Sequence, residues 1–371
     1  MRVFGNPHHL GSSSSCTFSA HHPHRYTASR LTSVESIHID GKLDEDAWTS
    51  APWTVPFTDI IGPRHWSQPW FKTQVKMRYD DTFLYVGAYV EDTDVWATLT
   101  KRNSVVFNDN DFEIFVDPVG TTHNYKEFEV NAINTTWNLL LNKPYRDGGG
   151  ENSTRVDPVH GFDMVPLGLR SAVYVKGRAN DPNQHVHFWT VEVALPLAAL
   201  AWKTTAVVPP RPGSSWRINF SRVEWVVEVV NGRYEKMKDL PEENWVWSPQ
   251  GQVAMHMPER WGYLRFVQAD HIEDANERDD PEFPARYQAF AIYYAQKAYR
   301  LKHKRYADTI ADLLPWIADK HVVSCLHVTY MNVTADGFFA GASAFGYTAH
   351  IRYDSFIHVS STNDADEVAL V

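Results

Sequence analysis

The sequence predicts an all-β fold: a two-sheet antiparallel β-sandwich, jelly-roll-like, with a C-terminal helical extension. Strand-length segments of alternating apolar and polar residues recur at short spacing through residues 37–267, with turn residues between them and few helical stretches. The 371 residues are 43% apolar and 13% aromatic, with 14 Trp, 17 Tyr and 19 Phe, enough to bury a large core. Such a composition excludes a chain that is disordered throughout. Length alone fits two domains or one large β-domain with an appendage.

The first stretch reads differently from the rest. Residues 1–34 contain no Asp or Glu, carry Arg2, Arg25 and Arg30, and have no apolar run long enough for a signal-peptide core. A disordered leader over residues 1–35 is expected, with an organelle transit peptide as the alternative. The sandwich is expected over 36–267. Val75–Tyr79 and Phe83–Tyr89 flank Asp80-Asp81-Thr82 and read as two strands and a tight turn. Asp111–Asp117 alternates cleanly, and Glu127–Asn131 repeats the pattern with an acidic face. Trp189–Leu195 and Trp216–Val223 are further strands. Val226–Val230 meets Arg233-Tyr234 across Asn231-Gly232, a strong hairpin signal. Tyr263–Val267 closes the domain. Residues 268–284, acidic and proline-bearing, read as a linker, and 285–371 as a helix followed by short strands. In that helix Tyr287, Phe290, Ala291, Tyr294, Ala298 and Leu301 fall at helical spacing. Lys297, Arg300, Lys302, Lys304 and Arg305 crowd its end, where cations suit the macrodipole. A second short helix is expected over Thr309–Ile317.

Several function classes drop out early. A net charge of −10 argues against nucleic acid as partner, since that affinity rests on neutralising phosphates. No apolar run reaches the length of a transmembrane helix. Cys16 and Cys325 are too few for a disulfide framework or a Cys-rich metal site. No G-x-S-x-G, H-E-x-x-H or phosphate-binding glycine loop occurs. Oligomeric state is not legible.

The chemistry concentrates on three strands with a polar face. One offers Asp111 and Glu113, the next Glu127, Glu129 and Asn131, the third Arg217, Asn219 and Ser221. A period of two sets each group on one side of its strand. If the strands are neighbours, carboxylates, amides and a guanidinium form one patch. Phe107, Trp137, Trp225, Trp245 and Trp247 lie near them in sequence. Such groups accept from and donate to sugar hydroxyls while a ring covers the apolar face of a pyranose. A solvated outer face of an antiparallel sheet would alternate in the same way. Glu127 and Glu129, two apart on one strand, have Cα atoms about 6–7 Å apart, which suits a ligand-binding or calcium-binding pair better than catalysis across a cleft. Asp40, Asp44, Glu45 and Asp46 could hold calcium, though a capped turn leading into Ala47-Trp48 is the better reading. A structural calcium is thus left open as a cofactor.

Ile39–Trp48, Val75–Tyr89, Asp111–Asp117 and Phe128–Asn131 follow one another in an order that resembles carbohydrate-binding module family 9. Trp247-Ser248-Pro249 and Trp261–Leu264 resemble its closing strands, so the similarity spans about residues 36–267. Asn124-Tyr125, Asn142–Gly148 and the helix over Arg286–Ala307 are similar to a bacterial, family 9-like subgroup. The resemblance implies a β-sandwich that binds sugar chain ends between two aromatic rings, without catalysis and with metal ions nearby. Its binding glutamate falls on Glu113 and its strand asparagine on Asn131. One clamping tryptophan falls near Phe107, still aromatic; the other falls near Met255 and the family's arginine near Glu129, two departures that bear on the sugar clamp.

The expected function is therefore non-catalytic glycan or polysaccharide binding in polysaccharide degradation, with xylan and cellulose as candidate ligands and an extracellular setting. The expected binding residues are Phe107, Asp111, Glu113, Glu129, Asn131, Trp137, Arg217, Asn219 and Trp247. One rival is a glycan hydrolase or lyase using Glu113 with Glu127 or Glu129. Another is a haem-binding sandwich, with Met255 and His256 as candidate ligands.

Overall fold

The computed structural model describes residues 14–269 and 279–361. In chain order the first strand is β1 (Arg25–Arg30). Helix α1 (Asp46–Thr49) and the two-residue β2 (Thr58–Asp59) precede the hairpin of β3 (Thr73–Tyr79) and β4 (Phe83–Glu91). A meander follows: β5 (Asp111–Asp117), β6 (Tyr125–Asn131), β7 (Thr136–Leu141) and the short β8 (Glu151–Asn152). Next come β9 (Arg170–Val175), β10 (Phe188–Pro196), helix α2 (Leu197–Ala201) and β11 (Ser215–Glu224). The hairpin β12 (Val227–Val230) and β13 (Arg233–Lys236) leads to β14 (Glu243–Val246) and β15 (Gly262–Val267).

These strands order as β8-β7-β6-β5-β11-β15-β1-β3-β4-β10-β9, a sheet curled on itself into two layers. Between the layers, Phe112, Ile114, Phe128, Val130 and Phe220 meet Val75, Met77, Val86, Val191 and Val193 in the main core. The turns are those that the residues demand. Asp80 Oδ1 accepts from the N–H groups of Thr82 and Phe83, both at 2.7 Å. Asn231 (φ 51°) and Gly232 (φ 79°) both take the left-handed conformation that a two-residue hairpin needs. The acidic stretch before Trp48 is a hydrogen-bonded turn, in which Asp40 Oδ1 accepts from Lys42 N and Glu45 Oε1 accepts from His38 N; the short helix α1 that follows has no side-chain cap.

The boundary expected at residue 35 is corrected. β1 lies inside the sheet, parallel to both neighbours, pairing Tyr26 with Leu264 and Ser29 with Arg78. Upstream of it, Cys16 forms a disulfide with Cys325, 309 residues away, and Phe18 is buried against the C-terminal unit. Tyr26 and Ala28 alternate inward, so the burial of this strand offsets the ordering cost that its polar neighbours suggested would prevail. Residues 1–13 lie outside the described residues, as do 270–278 of the expected linker.

The C-terminal part is a small α/β unit. Helix α3 (Phe283–His303) packs on a four-stranded sheet ordered β16 (Val328–Val333), β17 (Phe338–Ala344), β18 (Tyr347–Arg352) and β19 (Ile357–Ser361). Ala289, Ile292, Gln296 and Tyr299 are buried on the helix, whereas Leu301 is 76% exposed, so the apolar stripe lies one step round from the expected one. The second helix is one turn, α4 (Ile310–Leu313), capped by Thr309; α5 (Lys320–Cys325) carries the disulfide. The unit docks through charge. Asp147 at the sandwich edge takes Tyr293 OH at 2.7 Å and Lys297 Nζ at 2.6 Å, and Glu259 accepts from Tyr294 OH. No helix among the described residues is long and apolar enough to cross a membrane.

Candidate functional site

Strands β6, β5 and β11 are neighbours, so their polar faces merge. In register, Glu113 faces Glu129 on one side and Ser221 on the other; Asp111 faces Asn131 and Val223. β7 adds Trp137 beside Glu129. This face lies away from the main core. It is not solvated: Ile60, Val106, Phe115, Tyr125, Trp137, Val246, Met255 and Trp261 form a second apolar cluster over it. The alternation therefore marks a sheet buried on both sides.

Asp111, Glu113 and Glu129 offer carboxylate oxygens that lie within 4.8 Å of one another, and all three are buried. Glu127 stands beside them, also buried. Burial raises every one of these carboxyls, Glu113 to about 7 and Asp111, Glu127 and Glu129 well above the usual range. For Asp111, Glu127 and Glu129 the mutual repulsion of the group adds to that push.

The rim is aromatic. Phe107 is 39% exposed; its backbone N–H donates to Glu129 Oε2 at 3.2 Å, and its carbonyl accepts from Trp225 Nε1 at 2.9 Å. Trp225 is half-buried, with Lys236 Nζ over its ring at 3.4 Å. Trp137 is almost covered, donating from Nε1 to Glu151 Oε1 at 3.2 Å, with the Arg155 guanidinium over its ring at 5.1 Å.

Other expected residues have different work. Asn131 spends its amide on the loops: Nδ2 donates to Leu99 O and Asp109 Oδ2, while Oδ1 accepts from Ile133 and Thr135 N–H. Asn219 pairs both ways with the Ser248 backbone at 2.9 Å. Arg217, paired with Asp117 four positions along β5 from Glu113, donates to the carbonyls of Glu259 and Trp261 and stacks over Tyr263 at 3.9 Å. That puts it about 13 Å along the strand from the carboxylate group. Trp247 is in the main core against Phe220, and Trp245 is fully buried with Arg222 over its ring. Neither presents a ring to a ligand.

His256 donates to or accepts from Tyr125 OH at 3.0 Å and is boxed by the rings of Phe115, Tyr125 and Tyr145, the last at 4.6 Å. Burial holds its pKa down at about 4, and the nearby Arg146 adds to that. Asp109 escaped notice in the sequence. It accepts from Thr98 N, Thr98 Oγ1, Leu99 N and Asn131 Nδ2, and so pins the loop that carries Phe107. Its signal was the Asn108-Asp109-Asn110-Asp111 run, which supplies one loop clamp and one cluster carboxylate from adjacent alternations.

Residues 39–209 match the family model described as "Carbohydrate family 9 binding domain-like". This segment is similar to that family. The family segment stops short of β11, β14 and β15, which the fold adds to the same sheet. Solved structures similar to the chain include a Bacteroides uniformis protein described as carbohydrate-binding, 16% identical, with TM-score 0.46 over 66% of this chain and 99% of that chain. Another is a carbohydrate-binding module family 9 from Caldicellulosiruptor kristjanssonii in complex with cellotriose: 17% identity, TM-score 0.39, 69% of this chain and 100% of that one. A glucose complex from the same organism aligns at 18% identity and TM-score 0.39 over 67% and 99%. No curated protein matches the chain.

Proposed function

We propose that the sandwich binds carbohydrate without transforming it, at the rim where Phe107 and Trp225 adjoin the carboxylates of β5 and β6. The observation that carries this reading is the Phe107 ring, exposed and fixed on both sides of its backbone by Glu129 and Trp225 in a domain of the family 9 type. A ring so held can cover a pyranose face with little entropy to lose. Cellulose- and xylan-derived chain ends are the ligands proposed, and an oxidising, extracellular setting accords with the Cys16–Cys325 disulfide.

Hydrolysis is less well supported. Glu113 and Glu129 are direct cross-strand partners on one wall, whereas glycosidase carboxyls stand on opposite sides of the scissile bond. Calorimetry against cello- and xylo-oligosaccharides tests the proposal. Binding without release of new reducing ends is expected, and Phe107→Ala should weaken it about 10-fold, roughly 1.4 kcal/mol. Product release by the pure protein, or binding indifferent to Phe107, would overturn it.

A further inference from the structure

We propose that the cavity between the outer face of β1, β15 and β11 and the turn leading into α3 binds a small hydroxylated anion, with Arg217 and Arg265 holding its carboxylate or phosphate. The site lies apart from the Phe107 rim and does not depend on it.

Alternation builds the first wall. Tyr26, Leu264 and Trp216 face the main core, so the residues on either side of them along the three strands point the other way. In register, Arg25, Tyr263 and Arg217 form one row across that outer face, and Thr27, Arg265 and Ser215 form the next. Arg265 is thus the diagonal neighbour of Arg217, about 7–8 Å away, within reach for both guanidinium groups to meet one oxyanion. Asp280, Glu282 and Arg286 line the opposite side, and the cavity between measures about 600 Å³. That is the size of a small-molecule site rather than of a bare ion. Ring packing fixes the Arg217 head: it lies 3.9 Å over the Tyr263 ring, on which His22 also stacks at 4.9 Å.

The second observation is a missing counter-charge. Arg25 donates to Asp279 at 2.9 Å, and Arg286 donates to Glu282 at 2.8 Å. Asp117, opposite Arg217 on β5, spends its oxygens on the N–H groups of Val119, Gly120 and Thr122. Asp280 Oδ1 accepts from Glu282 N at 3.0 Å. Among the described residues no acid forms an ion pair with Arg217 or Arg265. Arg217 is 7% exposed; its NH2 reaches the main-chain carbonyls of Glu259 and Trp261, and its Nε has no partner. Arg265 Nε has none either. Buried guanidinium donors without acceptors are costly, and the paired oxygens of a carboxylate or phosphate match their fork. Across the cavity the carboxylates of Asp280 and Glu282 repel a bare anion but accept from hydroxyls. The ligand that suits both walls carries both groups, as a sugar acid or a sugar phosphate does.

Calorimetry on the full chain tests this at low salt, in excess glucose so that the rim is occupied. Glucuronate, glucose 6-phosphate and inorganic phosphate are the probes. One equivalent of a charged sugar is expected, bound about 10-fold or more tighter than inorganic phosphate. Uptake of glucuronate marks a carboxylate ligand, and uptake of glucose 6-phosphate a phosphate one. Arg265→Gln should weaken uptake about 10-fold or more. Arg217→Lys keeps the charge but loses the fork, and should weaken it by a similar factor. Asp157→Asn, an exposed acid elsewhere, should leave it unchanged. Far-UV circular dichroism checks that the variants fold. No uptake of either charged sugar in excess glucose would overturn the site. Inorganic phosphate bound as tightly as the sugars, or uptake that persists in both arginine variants, would overturn it too.

Discussion

Strand β11 separates two buried acidic groups that the protein treats in opposite ways. On one face Arg222 stands between Asp92 and Glu224, with Nε donating to Glu224 at 3.0 Å and NH2 at 3.4 Å from Asp92. Its NH1 reaches the Glu91 carbonyl at 2.6 Å, and the rings of Trp245 and Phe71 flank the guanidinium. One residue earlier, Ser221 points to the other face and meets Glu113 of the four-carboxylate group, which has no such cation. A buried acid pair beside a guanidinium has its counter-charge in the folded chain, even though Asp92 Oδ2 and Arg222 NH2 lack a hydrogen-bond partner and burial raises both acids, Glu224 to about 8. A larger group without one is complete only when protons or an ion arrive. Burial therefore does not separate scaffold from site here; the presence of the counter-charge does.

The strongest test of that contrast is Arg222→Met, which leaves Asp92 and Glu224 buried and unpaired. A loss of about 3–5 kcal/mol is expected in urea unfolding. A loss under about 1 kcal/mol would mean that the guanidinium is not what makes the group tolerable. Trp247→Ala carries the contrast over to the rings: as a core residue it should cost about 3–5 kcal/mol, while Phe107→Ala should leave the unfolding midpoint almost unmoved. Glu129→Gln should behave oppositely to Arg222→Met. In EDTA at pH 9, where the cluster is pressed to ionise, the variant should be more stable than the parent by on the order of 1 kcal/mol.

The smallest effect concerns pH. His256 has its folded pKa depressed from 6.5 to about 4, so the unfolded chain takes up the proton first. Its contribution is intact above about 6.5 and lost as pH falls towards 4. His256→Gln should flatten the acid side of the stability profile, by about 1 kcal/mol at pH 5.5, and leave the cluster's alkaline response alone. A variant with an unchanged acid limb would remove His256 from the account.

Much of the architecture could be read from local alternation. Period two placed Asp111 with Glu113, Glu127 with Glu129 and Asn131, and Arg217 with Asn219 and Ser221, and the three strands are indeed neighbours. What alternation cannot show is the covering. A polar face under solvent and one under Met255 and Trp261 have the same pattern, so the capture of Asn131 by Leu99 and Asp109, and of Asn219 by Ser248, stayed hidden. Trp247 illustrates the same blindness: beside a site in sequence, yet turned into the core. β1 was missed for a different reason. Its partners are some 50 and 240 positions away, and its six residues sit in a polar, acid-free context where Tyr26 and Ala28 are the only inward signal.

The placement of β1 also has a temporal side. Its longest pairing is with β15, a strand made more than 200 residues later. At about 5–20 residues per second the ribosome needs on the order of tens of seconds to cover that interval. During this time one edge of β3 has only the two-residue pairing with β1, and the layers cannot close around the Tyr79 and Phe266 rings that meet there at 5.0 Å. The sandwich is therefore completed by its earliest and latest strands together, and nascent chains halted before residue 262 should remain open, protease-sensitive and in need of a chaperone's cover.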